Sequence, residues 1–169
     1  MAKVGEDLWT QDLWMGLQQF ENAKTFGSLI RPALKDVSEL RERLQAKGVF
    51  EDLFLAKTNE KVQKVLKMSE YLSPRYHVVV ANPPYFSKGM DSDYKQFSKD
   101  HFPDSKADTL SMFVERNLDF AIPSGYVGMI TLMSWMFLSS FEKFRMKLIG
   151  KKTIITMAHL GARAFDTIG

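Results

Sequence analysis

The chain has 169 residues, 45% of them hydrophobic and 25% charged, an ordinary balance for about one globular domain. Thirteen Phe, ten Met and three Trp exclude disorder along the whole length, because disordered chains are depleted in such side chains. The lack of cysteine excludes disulfides, thiolate zinc sites and cysteine nucleophiles together, while a net charge of +3 permits nucleic acid binding without arguing for it.

His77, His101 and His159 are the three histidines, too far apart in sequence to suggest a local metal site. The N-terminal run Met1 to Asp7 lacks the apolar core of a signal peptide, and no segment approaches the roughly 18 apolar residues of a membrane span. A cytoplasmic protein with no membrane partner is expected.

Before Pro74, apolar residues recur at helical spacing. Leu8, Trp9, Leu13, Leu17 and Phe20 predict a first helix. Val37, Leu40 and Leu44 predict a second, ended by Gly48, and Val62, Val65, Leu66 and Ser69 a third, closed before Ser73-Pro74. Thr25 to Pro32 is punctuated as a connection. Residues 1–74 therefore read as a helical N-terminal segment, and residues 75–169 as a second part.

From Tyr76 onward, short apolar runs alternate with amphipathic helices, the pattern of a parallel sheet with crossover helices. Val78 to Ala81 predicts a buried strand stopped by Pro83-Pro84. The stretch from Phe86 to Ala107, rich in Ser, Lys and Asp, reads as a long loop. Its lysines, Lys88, Lys95, Lys99 and Lys106, alternate with Asp91, Asp93, Asp100 and Asp104, which favours a solvated loop over a phosphate-binding one. Asp108 is a natural N-cap for a helix with the stripe Leu110, Phe113, Val114, Leu118 and Ala121, ended by Pro123-Ser124-Gly125. Tyr126 to Met133 predicts a second strand. Ser139 and Glu142 have capping-box spacing for a helix burying Phe141, Phe144 and Leu148 and stopping at Gly150, and Thr153 to Met157 predicts a third strand. Trp9, Trp14 and Trp135 fit core positions better than base-stacking ones.

The residues that carry chemistry are Asn82-Pro83-Pro84-Tyr85. This tetrapeptide arises by chance in on the order of one chain in a thousand of this length, and in open α/β sheets ligands sit beyond the carboxyl ends of strands, where this loop lies. An exocyclic purine amine is a poor nucleophile because its lone pair is delocalised into the ring; acceptors on its two protons return electron density to nitrogen. The Asn82 side-chain oxygen and the Pro83 carbonyl are two such acceptors. Consecutive prolines fix φ and bar both helix and ladder, so the acceptors are held before any reaction begins. Tyr85 offers a flat face for an extruded base. Two other readings of the tetrapeptide remain at this point: a rigid turn in which Asn82 bonds its own backbone, and a polyproline ligand for a WW-type domain.

His77 to Tyr85 resembles the motif IV strand and loop of adenine-N6 DNA methyltransferases. The likeness extends to Ser105-Lys106-Ala107-Asp108, Phe113 to Arg116, Gly125 to Thr131, Ser134 to Leu138 and Ala158 to Gly161, which resemble the large methyltransferases of BREX-type phage-exclusion systems and related restriction-linked enzymes. Less closely, it takes in Thr25 to Arg31. The resemblance implies an α/β fold, the C-terminal part of a Rossmann-like class I methyltransferase sheet preceded by a helical segment. It implies methyl transfer from S-adenosylmethionine to a flipped adenine in DNA. Asn82 and Pro83 would hold the target amine and Tyr85 would stack on the base, Pro84 completing the catalytic loop, and Phe86 and Asp108 are weaker substrate-binding candidates.

The family places its cofactor on a glycine-rich turn after an upstream strand, and Gly5, Gly16, Gly27 and Gly48 are singly spaced. The S-adenosylmethionine site is therefore expected largely outside this chain, which reads as an internal fragment inactive alone and associating with the remainder of the enzyme. The alternative is a truncated, non-catalytic protein that acts through partner binding or self-association at open sheet edges.

Overall fold

The computed structural model describes residues 8–34, 36–46, 56–84 and 91–161. The order of elements is α1 (Leu8–Gln19), α2 (Ala23–Phe26), a 3₁₀ turn (Gly27–Leu29), α3 (Val37–Ala46), α4 (Ala56–Leu72), β1 (Tyr76–Ala81), α5 (Ser92–His101), α6 (Thr109–Phe120), β2 (Ala121–Met129), α7 (Ser134–Phe137), a second 3₁₀ turn (Ser139–Phe141) and α8 (Glu142–Lys151). These fall into two compact units, one through Thr131 and one from Leu132. Among the described residues, no helix is long and apolar enough to cross a membrane.

In the first unit, the predicted helical stripes point into one core. Phe20, Leu29, Ile30, Val37 and Leu40 meet Val62, Val65 and Leu66 of α4, and the same cluster takes in Tyr94, Phe102 and Met112 from the later elements. The predicted helices from Leu8, Val37 and Val62 are present; Gly48, the expected stop of the second, lies outside the described residues.

β1 and β2 form a two-stranded parallel sheet in which Val78 faces Tyr126, Val79 faces Val127, Val80 faces Gly128 and Ala81 faces Met129. Parallel pairing requires a crossover, here α5 and α6, and α6 packs on both strands. One face of β1 is thereby covered. The other is bare, with Val80 80% exposed and Val78 and Tyr126 also exposed.

Several sequence expectations are corrected: β1, expected to be buried, leaves Val78 and Val80 exposed because no further layer among the described residues covers that face, and Trp14, expected in the core, is exposed. The segment expected to be a long loop contains α5: Asp91 caps it by accepting from the Tyr94 backbone N–H at 2.8 Å, and Tyr94 and Ser98 are its buried positions. Pro123-Ser124-Gly125 does not end a helix and precede a strand but lies inside β2, where five steps from Ala121 to Tyr126 oppose two from Tyr76 to Val78. That irregularity suits its residues: Pro123 has no N–H for a ladder, Ser124 adopts φ 65°, and a Cβ on Gly125 would come within 3.0 Å of the His77 carbonyl oxygen. Thr153 to Met157 forms no strand; residues 152–161 are exposed and have no regular structure, because an apolar run becomes a strand only where another strand offers its ladder. Ser139 and Glu142 make no capping box, since the 3₁₀ turn delays the start of α8 to Glu142 and its N-cap is Phe141, without a side-chain bond; the helix also runs past Gly150.

The predicted apolar face of α8 is nonetheless inward, with Phe141, Phe144 and Leu148 buried. In this second unit Trp135 meets Phe144 edge to face at 5.9 Å between centroids. Arg145 ties the turn before α8 by donating to the carbonyls of Trp135 (2.9 Å) and Leu138 (2.5 Å).

Arg116 holds the first unit together. Only 5% exposed, it donates to the carbonyl oxygens of Ser28 (3.0 Å), Ile30 (2.9 Å) and Leu72 (2.8 Å), and its guanidinium lies 3.7 Å from the Phe120 ring centroid. Burial lowers its pKa to about 10, with Arg31 pushing the same way and Asp119 partly offsetting, so it stays charged at neutral pH. Replacing it by Met strands three carbonyls, and Arg116→Met is expected to lower unfolding stability by about 3 kcal/mol, measurable by urea denaturation. Asp108, the predicted N-cap, accepts from the Ser111 backbone N–H at 2.6 Å and from its hydroxyl at 3.2 Å. Asp108→Ala is expected to cost about 1–2 kcal/mol in the same measurement.

Candidate functional site

β1 delivers its chain to an abrupt corner. Its last residue, Ala81, still accepts from the Ile130 backbone N–H at 3.3 Å, and Pro83 and Pro84, lacking backbone N–H groups, allow the ladder to go no further. Asn82 and Pro84 are exposed and Pro83 is buried, so the corner is anchored at its middle and open at both sides.

This corner forms one wall of a hollow of about 420 Å³, within the roughly 300–1,000 Å³ range of small-molecule sites. Ala81 to Pro84 face it from the strand end, Lys24 to Leu29 from α2 and its 3₁₀ turn, Tyr94 from α5, and Thr109, Phe113 and Asn117 from α6. The α2 wall is held from behind by the Arg116 bonds to Ser28 and Ile30. It turns at Gly27, whose φ of 53° and ψ of −135° suit glycine alone among common residues. Phe26 is stacked on Phe97 at 4.0 Å with planes 7° apart, which fixes an aromatic side chain in that wall.

The polar groups of the lining differ in how far they are committed. The Tyr94 hydroxyl and Thr109 Oγ1 bond each other at 3.0 Å in a buried pair. Burial raises the Tyr94 pKa, with the Thr109 bond acting the other way and nearby Asp108 raising it further, so the phenol is neutral and one of the two hydroxyl protons is committed within the pair. Asn117, by contrast, makes one side-chain hydrogen bond among the described residues, from Nδ2 to Met129 Sδ at 3.4 Å.

Of the residues expected from the sequence, Asn82, Pro83 and Pro84 line this hollow together. Tyr85 and Phe86 lie outside the described residues. Asp108 is buried with its carboxylate turned onto Ser111, and its neighbour Thr109 is the residue that reaches the lining. Sequence reasoning did not find Phe26, Ser28, Tyr94, Phe113 or Asn117 as lining residues. Asn117 left a signal: it is a polar residue four positions after Phe113 on the otherwise apolar stripe of α6.

The sequence matches the Eco57I restriction-modification methylase family over residues 8–165. It is 42% identical over 156 residues to the adenine-specific methyltransferase BrxX of Escherichia coli O9:H4 (strain HS), an alignment covering 90% of this chain and 13% of that protein. It is 33% identical over 175 aligned residues to the adenine-specific methyltransferase PglX of Lacticaseibacillus casei (strain Zhang), covering 99% of this chain and 14% of that protein. The chain thus spans about one seventh of the length of these curated relatives. It belongs to the Eco57I restriction-modification methylase family.

Proposed function

We propose that this chain presents the target-base loop of an adenine-N6 DNA methyltransferase working in restriction-modification or phage defence. The observation that carries the reading is the open hollow at the carboxyl end of β1, with Asn82, Pro83 and Pro84 forming one wall. Both relatives carry the words adenine-specific methyltransferase in their names, in agreement with it.

In this reading an adenine extruded from DNA sits in the hollow. The Asn82 side-chain oxygen and the Pro83 carbonyl oxygen accept the two N–H groups of its amine, raising electron density on nitrogen and stabilising the positive charge it gains. Tyr85 stacks on the ring, Phe86 borders it, and Asp108 acts through the start of α6. S-adenosylmethionine, when bound, would supply the sulfonium methyl group for this amine, and Asn82 and Pro83 would hold the amine oriented to receive it. Among the described residues no glycine-rich turn follows a strand, β1 being followed by Asn-Pro-Pro. We therefore assign most of the cofactor cradle to sequence outside this chain.

The two strands would be one edge of a Rossmann-like sheet, entered through the helical segment of residues 1–74. The bare face carrying Val78, Val80 and Tyr126 would seat the remainder of the enzyme, since a two-stranded sheet with one apolar face uncovered is not a finished layer. In the complete enzyme, Asn82→Ala is expected to lower kcat for methylation of adenine in DNA by on the order of 10²-fold or more, measured by incorporation of labelled methyl groups. Undiminished methylation by that variant contradicts the assignment.

A further inference from the structure

We propose that Asn117 reads the edge of an adenine ring from the buried side of the hollow, opposite the Asn-Pro-Pro corner. This inference rests on the target-base reading above and adds to it a residue that holds the base from the other side.

The lining has an exposed rim and a buried interior. Asn82, Pro84, Lys24, Thr25, Gly27 and Ser28 are exposed, whereas Asn117 is 4% exposed and still borders the open space. A buried primary amide ordinarily satisfies two donors and an acceptor. Here one donor meets a thioether sulfur, a weak acceptor, at 3.4 Å, and Oδ1 has no partner among the described residues. Ser69 Oγ is the side-chain N or O atom among the described residues that is both shut off from solvent and unpaired, so Asn117 Oδ1 keeps some access to solvent, on a residue that borders the hollow.

The neighbouring groups narrow what it would meet. The Tyr94 and Thr109 hydroxyls are bonded to each other, and Phe26, Leu29 and Phe113 are apolar. The buried part of the lining is therefore largely apolar, with the Asn117 amide and one hydroxyl pair as its polar groups. With both N6 protons taken by Asn82 and Pro83, the amide meets the opposite edge of the ring, its remaining Nδ2 proton on a ring nitrogen and its Oδ1 against the polarised C2–H. With acceptors at Asn82 and Pro83, a purine carrying a carbonyl at C6 meets repulsion at the rim, so the corner selects the 6-amino ring that the amide then holds from the other side. Two sources supply such a ring: the target nucleotide and the adenosyl group of the methyl donor.

The test uses the 169-residue protein with 15N in its side-chain amides, titrated with 2′-deoxyadenosine 5′-monophosphate, S-adenosylhomocysteine or 2′-deoxyinosine 5′-monophosphate. The Asn117 side-chain NH₂ resonance, identified by its loss in Asn117→Leu, is expected to shift on adding an adenine compound and to stay in place with the inosine compound. Asn117→Leu, nearly equal in size, is expected to weaken adenine binding roughly 10-fold or more. A shift with the deoxynucleotide assigns the slot to the target base; a shift with S-adenosylhomocysteine alone assigns it to the donor. Should the Leu variant not fold, the resonance in the unsubstituted protein, assigned through its backbone, still decides. Adenine binding that leaves this resonance unmoved overturns the proposal, as does native affinity in the Leu variant or no binding of either adenine compound. Asn82→Ala separates the two claims. Binding lost with Asn82→Ala and kept with Asn117→Leu removes Asn117 and leaves the target loop; the opposite pattern keeps Asn117 and removes Asn82.

Discussion

The guanidinium of Arg116 is the interaction on which the first unit depends. A buried cation needs its donors satisfied, and this one finds three backbone carbonyls from two segments distant in sequence: Ser28 and Ile30 beside the hollow, and Leu72 at the end of the helix that leads into β1. One side chain on α6 thus sets the distance between the α2 wall and the strand that carries the Asn-Pro-Pro corner. Because carbonyls are acceptors whatever side chains stand on them, this tie constrains backbone position and leaves the identities of Thr25, Ser28 and their neighbours free to suit a ligand. A second cation adds to it: Arg31 binds Asp119 at 2.6 Å and the His101 carbonyl at 2.9 Å, joining the same wall to α5 and α6.

The parallel pair supplies the other half of the geometry. Because β1 and β2 run the same way, the ends of both strands lie on one side of the sheet, and the residues leaving β1 emerge beside those leaving β2. The crossover must return the chain to the start of β2, and α6 does so while packing on both strands. Its N-terminal half therefore comes to the corner, bringing Thr109 and Phe113 to the hollow, with Asn117 one turn further along. The Asn-Pro-Pro corner and the α6 residues that face it across the hollow are thus consequences of one β-α-β connection.

What could be read from the sequence divides along physical lines. The helices around Val37, Val62 and Leu110 were legible because each buries one stripe against a core, and periodicity reports that directly. The corner at Asn82 was legible because two prolines after an apolar run leave the backbone little choice. α5 was missed because its apolar positions are few and its buried side chains include Ser98, so composition resembled a loop. The run from Thr153 was over-read, since strand formation depends on a partner that local sequence does not encode. Within the hollow, Phe26, Tyr94 and Asn117 come from three segments joined by tertiary packing, and no local pattern links them.

The central claim is that the hollow beside Asn82, Pro83 and Pro84 holds an adenine ring. Intermolecular nuclear Overhauser contacts from the H2 and H8 protons of bound 2′-deoxyadenosine 5′-monophosphate test it most directly. The account predicts contacts to the ring protons of Pro84 and the aromatic protons of Phe113. Contacts confined to surfaces away from this corner, with none to either residue, contradict it.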